Sequence, residues 1–118
     1  MASFKLHGKA IDSVQLTLGG GFPFSWDLYD YAPAGNGWSR NYLGKGDGTG
    51  WFKLPEGDYD QHMLTWSVAV IDHDAQSMQV EVVASARDAH GKPLASAASD
   101  WTVSAEVAQI FVTVGIEK

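Results

Sequence analysis

Aromatic side chains are concentrated in one stretch of this chain, and they are the residues best suited to a chemical task. Residues 29–61 hold seven of the fourteen aromatic residues and seven of the thirteen glycines of the 118-residue chain. Aromatic side chains normally fill the core, and glycine costs conformational entropy on folding. Their combination predicts a long, Gly- and aromatic-rich loop region over residues 29–51 that carries a binding function.

Recognition of sugars is the chemistry that this segment favours. Sugar rings present apolar C–H faces that stack on Trp and Tyr, while carboxylate, amide, guanidinium and backbone groups bind their hydroxyls. The sequence therefore predicts a lectin-like, non-enzymatic carbohydrate-binding module. Its candidate ligand-binding residues are Tyr29, Tyr31, Asn36, Trp38, Arg40, Asn41, Tyr42 and Trp51. Trp38 and Trp51 are the expected anchors, and burial of both in the core is the alternative.

Two other uses of the same aromatic residues stay open. Tyr and Trp are enriched at protein interfaces, so the chain is alternatively a homo-oligomeric structural or interaction subunit. Trp and Tyr also enter the headgroup layer of bilayers, so a membrane-surface or cytolysin-like protein is a further alternative, although the basic residues that assist binding to anionic lipid are scarce. The expected partner is a glycan or a protein surface.

Calcium is the one metal for which the sequence offers candidate ligands. Ca²⁺ takes several oxygen ligands, often from aspartates in loops. Asp47 lies in a Gly-rich run, and Asp58 and Asp60 are two residues apart, which directs both carboxylates to one side of an extended chain. The alternative is that these aspartates are ordinary turn residues. No other cofactor is expected.

No residue spacing that catalysis requires occurs in the chain. The run 44–50, Gly-Lys-Gly-Asp-Gly-Thr-Gly, is followed by strand-like residues, whereas a phosphate-binding loop leads into a helix. A Gly-x-Ser-x-Gly motif is absent, cysteine is absent, and the four histidines lack metal-site spacing. We therefore expect no enzymatic activity.

Alternation of apolar and polar residues indicates the elements that must position these candidates. Leu64, Trp66 and Val68 alternate with polar or small residues, as in a strand with one buried face. The same pattern predicts strands near 3–8, 13–18, 22–30, 38–43, 50–54, 62–72, 78–88, 94–104 and 107–116. Turn-forming residues at 19–21, 72–77 and 88–93 separate them. Eight or nine short strands predict an all-β, antiparallel β-sandwich, either immunoglobulin-like or jelly-roll-like.

A short segment supports the same fold. Residues 50–59, Gly-Trp-Phe-Lys-Leu-Pro-Glu-Gly-Asp-Tyr, resemble the strand-turn-strand signature of many bacterial immunoglobulin-like and transthyretin-like domains. There a strand ends in Leu-Pro, the chain turns at Gly, and the next strand begins at Tyr. The resemblance implies a sandwich and no particular activity.

Length and charge limit the remaining possibilities. A chain of 118 residues predicts a single domain over 1–118. Its 8 basic residues are scattered and its net charge is −6, which argues against nucleic acid as a partner. No apolar run approaches the ~18 residues of a transmembrane helix. The first residues lack the pattern of a signal peptide, so the default location is the cytoplasm, with release by a route without a signal peptide as the alternative.

Overall fold

Nine β-strands form two sheets in the described part of this protein, whose structure here is a computed structural model. It describes residues 2–71, 77–104 and 107–118, with Val107 described for its backbone alone. The strands are β1 (Ser3–Lys5), β2 (Ser13–Leu18), β3 (Phe24–Ala34), β4 (Gly37–Asp47), β5 (Phe52–Lys53), β6 (Met63–Ile71), β7 (Met78–Arg87), β8 (Pro93–Val103) and β9 (Val107–Glu117). The predicted all-β sandwich is confirmed. Among the described residues, no helix has the length and apolar character needed to cross a bilayer.

The chain passes several times from one sheet to the other. The five-stranded sheet has the order β1-β9-β6-β3-β4, and the four-stranded sheet has the order β5-β2-β7-β8. Neighbouring strands are antiparallel except β1 and β9, which are parallel. This exception differs from the predicted antiparallel arrangement. A parallel pair needs a long connection that returns the chain to the same end of the sheet. β1 and β9 are the first and last strands, so nearly the whole chain serves as that connection.

Alternate residues of both sheets fill the core between them. Trp66, which the alternation predicted to face the core, is 1% exposed, and Trp26 on β3 is 7% exposed. Leu28 pairs with Trp66, lies two residues from Trp26 on the same face of β3, and is fully buried. Because side chains alternate along a strand, the intervening residues of β3 and β6 lie on the outer face of the five-stranded sheet.

Residues 29–51 form most of a β-hairpin, so the predicted loop over this segment is wrong. β3 and β4 pair from Ser25↔Asp47 to Ala34↔Gly37. Two glycines of this segment serve packing: a Cβ on Gly46 would lie 2.5 Å from the Trp26 ring, and one on Gly44 would lie 2.7 Å from the Phe52 ring. These two rings meet edge to face with centroids 6.0 Å apart. Glycine is therefore required here so that aromatic rings can lie directly on the strand.

Two of the three predicted turns are present as expected. Gly20 and Gly21, between β2 and β3, have φ values of 86° and 72°. Gly91, between β7 and β8, has a φ of 79°, and the Asp88 carboxylate accepts hydrogen bonds from the backbone N–H groups of His90 and Lys92. The third turn was predicted at 72–77, and residues 72–76 lie outside the described part of the chain.

Candidate functional site

Four of the candidate ligand-binding residues lie together on the outer face of the five-stranded sheet. Tyr29 on β3 pairs with Tyr42 on β4, and Tyr31 pairs with Arg40. Residues directly opposite each other in a sheet point to the same side, and i and i+2 residues of one strand do so as well. We refer to Tyr29, Tyr31, Arg40 and Tyr42 as the tyrosine face.

A β-bulge determines which residues of β4 belong to this face. The register shifts between Leu28 and Tyr29, so Leu43 has no direct partner on β3. Outward positions of β4 are therefore even-numbered up to Tyr42 and odd-numbered from Lys45 onward. Without the extra residue, Tyr42 and Lys45 would point to opposite faces of the sheet.

Contacts within the tyrosine face hold its side chains in place. The rings of Tyr29 and Tyr42 are 5.3 Å apart at a tilt of 59°, and the Arg40 guanidinium lies 5.3 Å from the Tyr29 ring centroid. The Tyr42 hydroxyl donates a hydrogen bond of 2.8 Å to the Asp27 carboxylate, and this hydrogen bond raises the pKa of Tyr42. Tyr42 is nevertheless 54% exposed, so one ring is fixed in orientation while much of it faces solvent.

Polar side chains continue the outer face beyond the tyrosines onto β6 and β9. The hydroxyl groups of Thr65 and Thr113 are 3.0 Å apart and lie in the same row as Tyr29 and Tyr42. In the neighbouring rows, the Gln109 amide donates to the Ser67 hydroxyl at 2.8 Å. The outer face thus combines aromatic rings with hydrogen-bonding groups.

Phe111 is an outer-face residue that the sequence analysis did not single out. It lies on β9 opposite Ser67 and is 58% exposed. The signal in the sequence is the strand alternation itself, because Ile110 and Val112 on either side are buried and Phe111 must point outward. It adds a further exposed ring on the face that carries the tyrosines.

Trp38 lies on the same side of β4 but at the end of the sheet, where it forms one wall of a pocket of about 190 Å³. It is 51% exposed, so its burial in the core, the alternative to a binding role, does not occur. We call this cavity the Trp38 pocket. Its lining residues are Ser3, Trp38, Gln61, His62, Met63, Gly115, Ile116 and Glu117.

His62, which lines this pocket, is held by a buried carboxylate, and sequence reasoning missed this pairing. The His62 Nδ1 atom lies 2.8 Å from Oδ1 of Asp30, and Asp30 is 6% exposed. The Tyr59 ring packs edge to face on His62, with centroids 5.4 Å apart, and burial together with the Asp30 charge raises the pKa of Tyr59. Asp30 and His62 are separated by 32 positions, so no local motif reveals the pair.

The other candidate ligand-binding residues lie elsewhere. Asn36 is in the two-residue turn at the tip of the β3–β4 hairpin, and Asn41 pairs with Asp30 on the opposite side of β4 from Tyr42. Trp51 lines a shallow depression with residues of β7 and β8, which belong to the second sheet. The Arg87 guanidinium lies 4.1 Å above its ring centroid. Trp51 is 38% exposed, but it is not part of the tyrosine face.

The three candidate calcium ligands are not brought together. Asp47 lines a depression beside Trp26, whereas Asp58 and Asp60 line a different one near the chain termini. The Asp58 carboxylate accepts the backbone N–H of Asp60 at 3.0 Å, and the Asp60 carboxylate accepts the backbone N–H of Lys118 at 2.9 Å. Within residues 2–71, 77–104 and 107–118, no three acidic or histidine side chains form a group that could hold a metal ion.

Comparison of the chain with protein-family models, curated proteins and solved structures returned no match.

Proposed function

We propose that this protein is a non-enzymatic carbohydrate-binding module that binds its ligand on the tyrosine face. The observation that carries the proposal is the register of β3 and β4, which gathers Tyr29, Tyr31, Arg40 and Tyr42 on the sheet face away from the core. The tyrosines offer rings for the C–H faces of a sugar. Arg40 and the neighbouring Asp27 offer charged hydrogen-bonding groups for its hydroxyls.

Exposure of the aromatic rings supports a binding role over a structural one. An aromatic ring stabilises a fold by leaving water, and Tyr42 and Trp38 keep about half of their surface in water. Clustered exposed aromatics typically mark a place where something binds. Their pre-formed contacts reduce the entropy that a ligand must overcome, because fewer side chains have to be ordered on binding.

A glycan array followed by titration of its strongest ligand tests the proposal. Tyr42→Ala should weaken binding about five- to thirtyfold, because it removes a stacking surface worth roughly 1–2 kcal/mol. Tyr42→Phe keeps the ring and should bind within a few-fold of wild type. Trp51→Ala is the matched control, since it removes an exposed aromatic from the other sheet.

An array without a bound glycan at millimolar protein would contradict the proposal. So would equal affinities of Tyr42→Ala and wild type for the same glycan. Each variant should first be shown to melt within a few degrees of wild type, so that loss of binding is separated from loss of fold.

Self-association is a second candidate function, favoured by the position of β4. This eleven-residue strand is at the edge of the five-stranded sheet and bears the exposed Trp38 and Tyr42. An edge strand presents backbone N–H and C=O groups that can pair with a second copy. Light scattering from about 10 μM to 1 mM should then show a mass that doubles with concentration and that falls back for Trp38→Ala. A constant monomer mass removes this candidate.

A further inference from the structure

The β3–β4 hairpin is longer than the strand beside it, and this difference creates the Trp38 pocket. β3 pairs with β6 only as far as Tyr31↔Met63, whereas it continues to pair with β4 as far as Ala34↔Gly37. The residues beyond Tyr31 therefore extend past the end of β6. Trp38 in this extension shares the pocket with Ser3 of β1, Met63 of β6 and Gly115 of β9. An indole wall thus closes one end of the outer face.

Polar groups from several segments converge on this pocket. Ser3 of β1 brings a hydroxyl and Glu117 of β9 a carboxylate, whereas the Gln61 amide donates to Asp60 at 3.4 Å and the His62 ring faces Asp30. Gln61 adopts a φ of 66°, a conformation that non-glycine residues rarely take and that is enriched at binding sites. Backbone hydrogen bonds from Gln61 to Ile116 and from Ile116 to His62 fix this conformation, at 2.9 Å each.

The side chains of Asp30 and His62 lie on the core side of the sheet, opposite Trp38. Asp30 is buried on the same face of β3 as Leu28. Its carboxylate lies 2.8 Å from the His62 Nδ1 atom, and the Tyr59 ring packs on the imidazole. The pair therefore holds the start of β6, which borders the pocket, in position.

We propose that the Trp38 pocket binds the terminal sugar ring of a glycan whose next residues lie on the tyrosine face. This inference rests on the proposed carbohydrate-binding function and adds the part of the glycan that is recognised. The pocket shares its side of the sheet with Tyr31, which pairs with the lining residue Met63. A volume of about 190 Å³ is smaller than that of a typical drug-sized site, so it admits a single ring.

The charge of the pocket selects a neutral sugar. Glu117 lines it, Asp30 lies behind His62, and the whole chain carries a net charge of −6. A carboxylated or phosphorylated ring would place a second negative charge beside Glu117 in a partly enclosed site, which is unfavourable. A neutral pyranose instead offers hydroxyl groups to the Glu117 carboxylate and the Ser3 hydroxyl, and its C–H face to the Trp38 indole.

Free neutral monosaccharides provide the direct test, because they contain the ring without the chain. D-glucose, D-galactose, D-mannose, N-acetyl-D-glucosamine and L-fucose should be titrated separately into the full chain, with tryptophan fluorescence and amide chemical shifts as readouts. At least one should bind in the millimolar range and shift the amides of His62, Met63 and Gly115.

Variants separate the pocket from the tyrosine face. Trp38→Ala and Glu117→Gln should each weaken monosaccharide binding about tenfold, whereas Tyr42→Ala should leave it within about twofold. Both pocket residues are exposed, so these variants should fold. Glycans found on the array should then lose affinity when one terminal ring is destroyed. An exoglycosidase removes the residue at the non-reducing end, and borohydride opens the ring at the reducing end. The treatment that lowers the affinity identifies which end the pocket holds.

Each contrary result has a distinct meaning. An array glycan that requires Tyr42, together with no binding of any monosaccharide and no effect of Glu117→Gln, overturns the pocket inference and leaves the proposed function standing. Monosaccharide binding that Tyr42→Ala abolishes and Trp38→Ala spares also overturns it. Absence of binding to the array and to every monosaccharide overturns both.

Discussion

Replacing Gly46 with alanine should destabilise the fold, because an aromatic ring occupies the space that a side chain would need. A Cβ at this position would lie 2.5, 2.9 and 3.0 Å from three carbon atoms of the Trp26 indole. The indole cannot easily withdraw, since its N–H donates a 3.0 Å hydrogen bond to the Gly48 carbonyl and Phe52 packs against it. Overpacking of this kind costs about 1–3 kcal/mol. For a domain of this size, that corresponds to a fall in melting temperature of roughly 5–15 °C.

Gly37 on the same strand supplies the control. No atom lies within 4 Å of a Cβ built at Gly37, and its φ is outside the left-handed region. Gly37→Ala should therefore leave the free energy of unfolding unchanged or raise it by up to about 1 kcal/mol, because alanine loses less entropy on folding. Urea unfolding followed by tryptophan fluorescence measures both variants. If Gly46→Ala lies within about 0.5 kcal/mol of Gly37→Ala, the glycines have no packing role and the reasoning is refuted.

Three further outcomes are expected. Trp66→Ala should lower the free energy of unfolding by about 3–5 kcal/mol, and a urea midpoint shift worth under about 1 kcal/mol would place Trp66 outside the core. Trp51→Ala should change that free energy by no more than about 1 kcal/mol, as expected for an exposed ring with a cation above it, and a larger loss in the same urea assay would assign it a core role. The Asp12 pKa is lowered, first by the Ser13 hydroxyl and then by Lys53, so its stabilising effect is present above its unfolded pKa of about 3.8 and is lost as pH falls through the lower folded value. Between pH 5 and pH 2, wild type should therefore lose more stability than Asp12→Asn in thermal melts, and equal losses would show that the Asp12 contacts are absent in solution.

Strand positions were predictable wherever one face of a strand is buried. Leu64, Trp66 and Val68 alternate without interruption, so the bounds predicted for β6, 62–72, differ little from the observed Met63–Ile71. The strand predicted at 38–43 lies within β4 but stops short of its end at Asp47, because the bulge at Leu43 reverses the alternation within the strand. Gly46 also favoured the incorrect prediction of a loop, because glycine is common in flexible segments. Its actual role is to leave space for the Trp26 ring, which the sequence does not reveal.

The candidate site was predictable in its residue types but not in its arrangement. Tyr42 and Trp51 are close in sequence, yet Trp51 lies against β7 and β8 of the other sheet, because the chain crosses between layers after β4. The pairing of Asp30 with His62 joins positions 32 residues apart, and no periodicity connects them. Such contacts follow from sheet order and register, which a single sequence constrains weakly.

The most direct test of the central claim is a map of where a glycan touches the protein. Amide spectra of the full chain should be recorded while the strongest array ligand is titrated to saturation. We expect the largest shifts at the amides of Tyr29, Tyr31, Arg40 and Tyr42, and unchanged amide shifts for the residues around Trp51. Shifts confined to the second sheet, or no shift at saturating glycan, would contradict the claim.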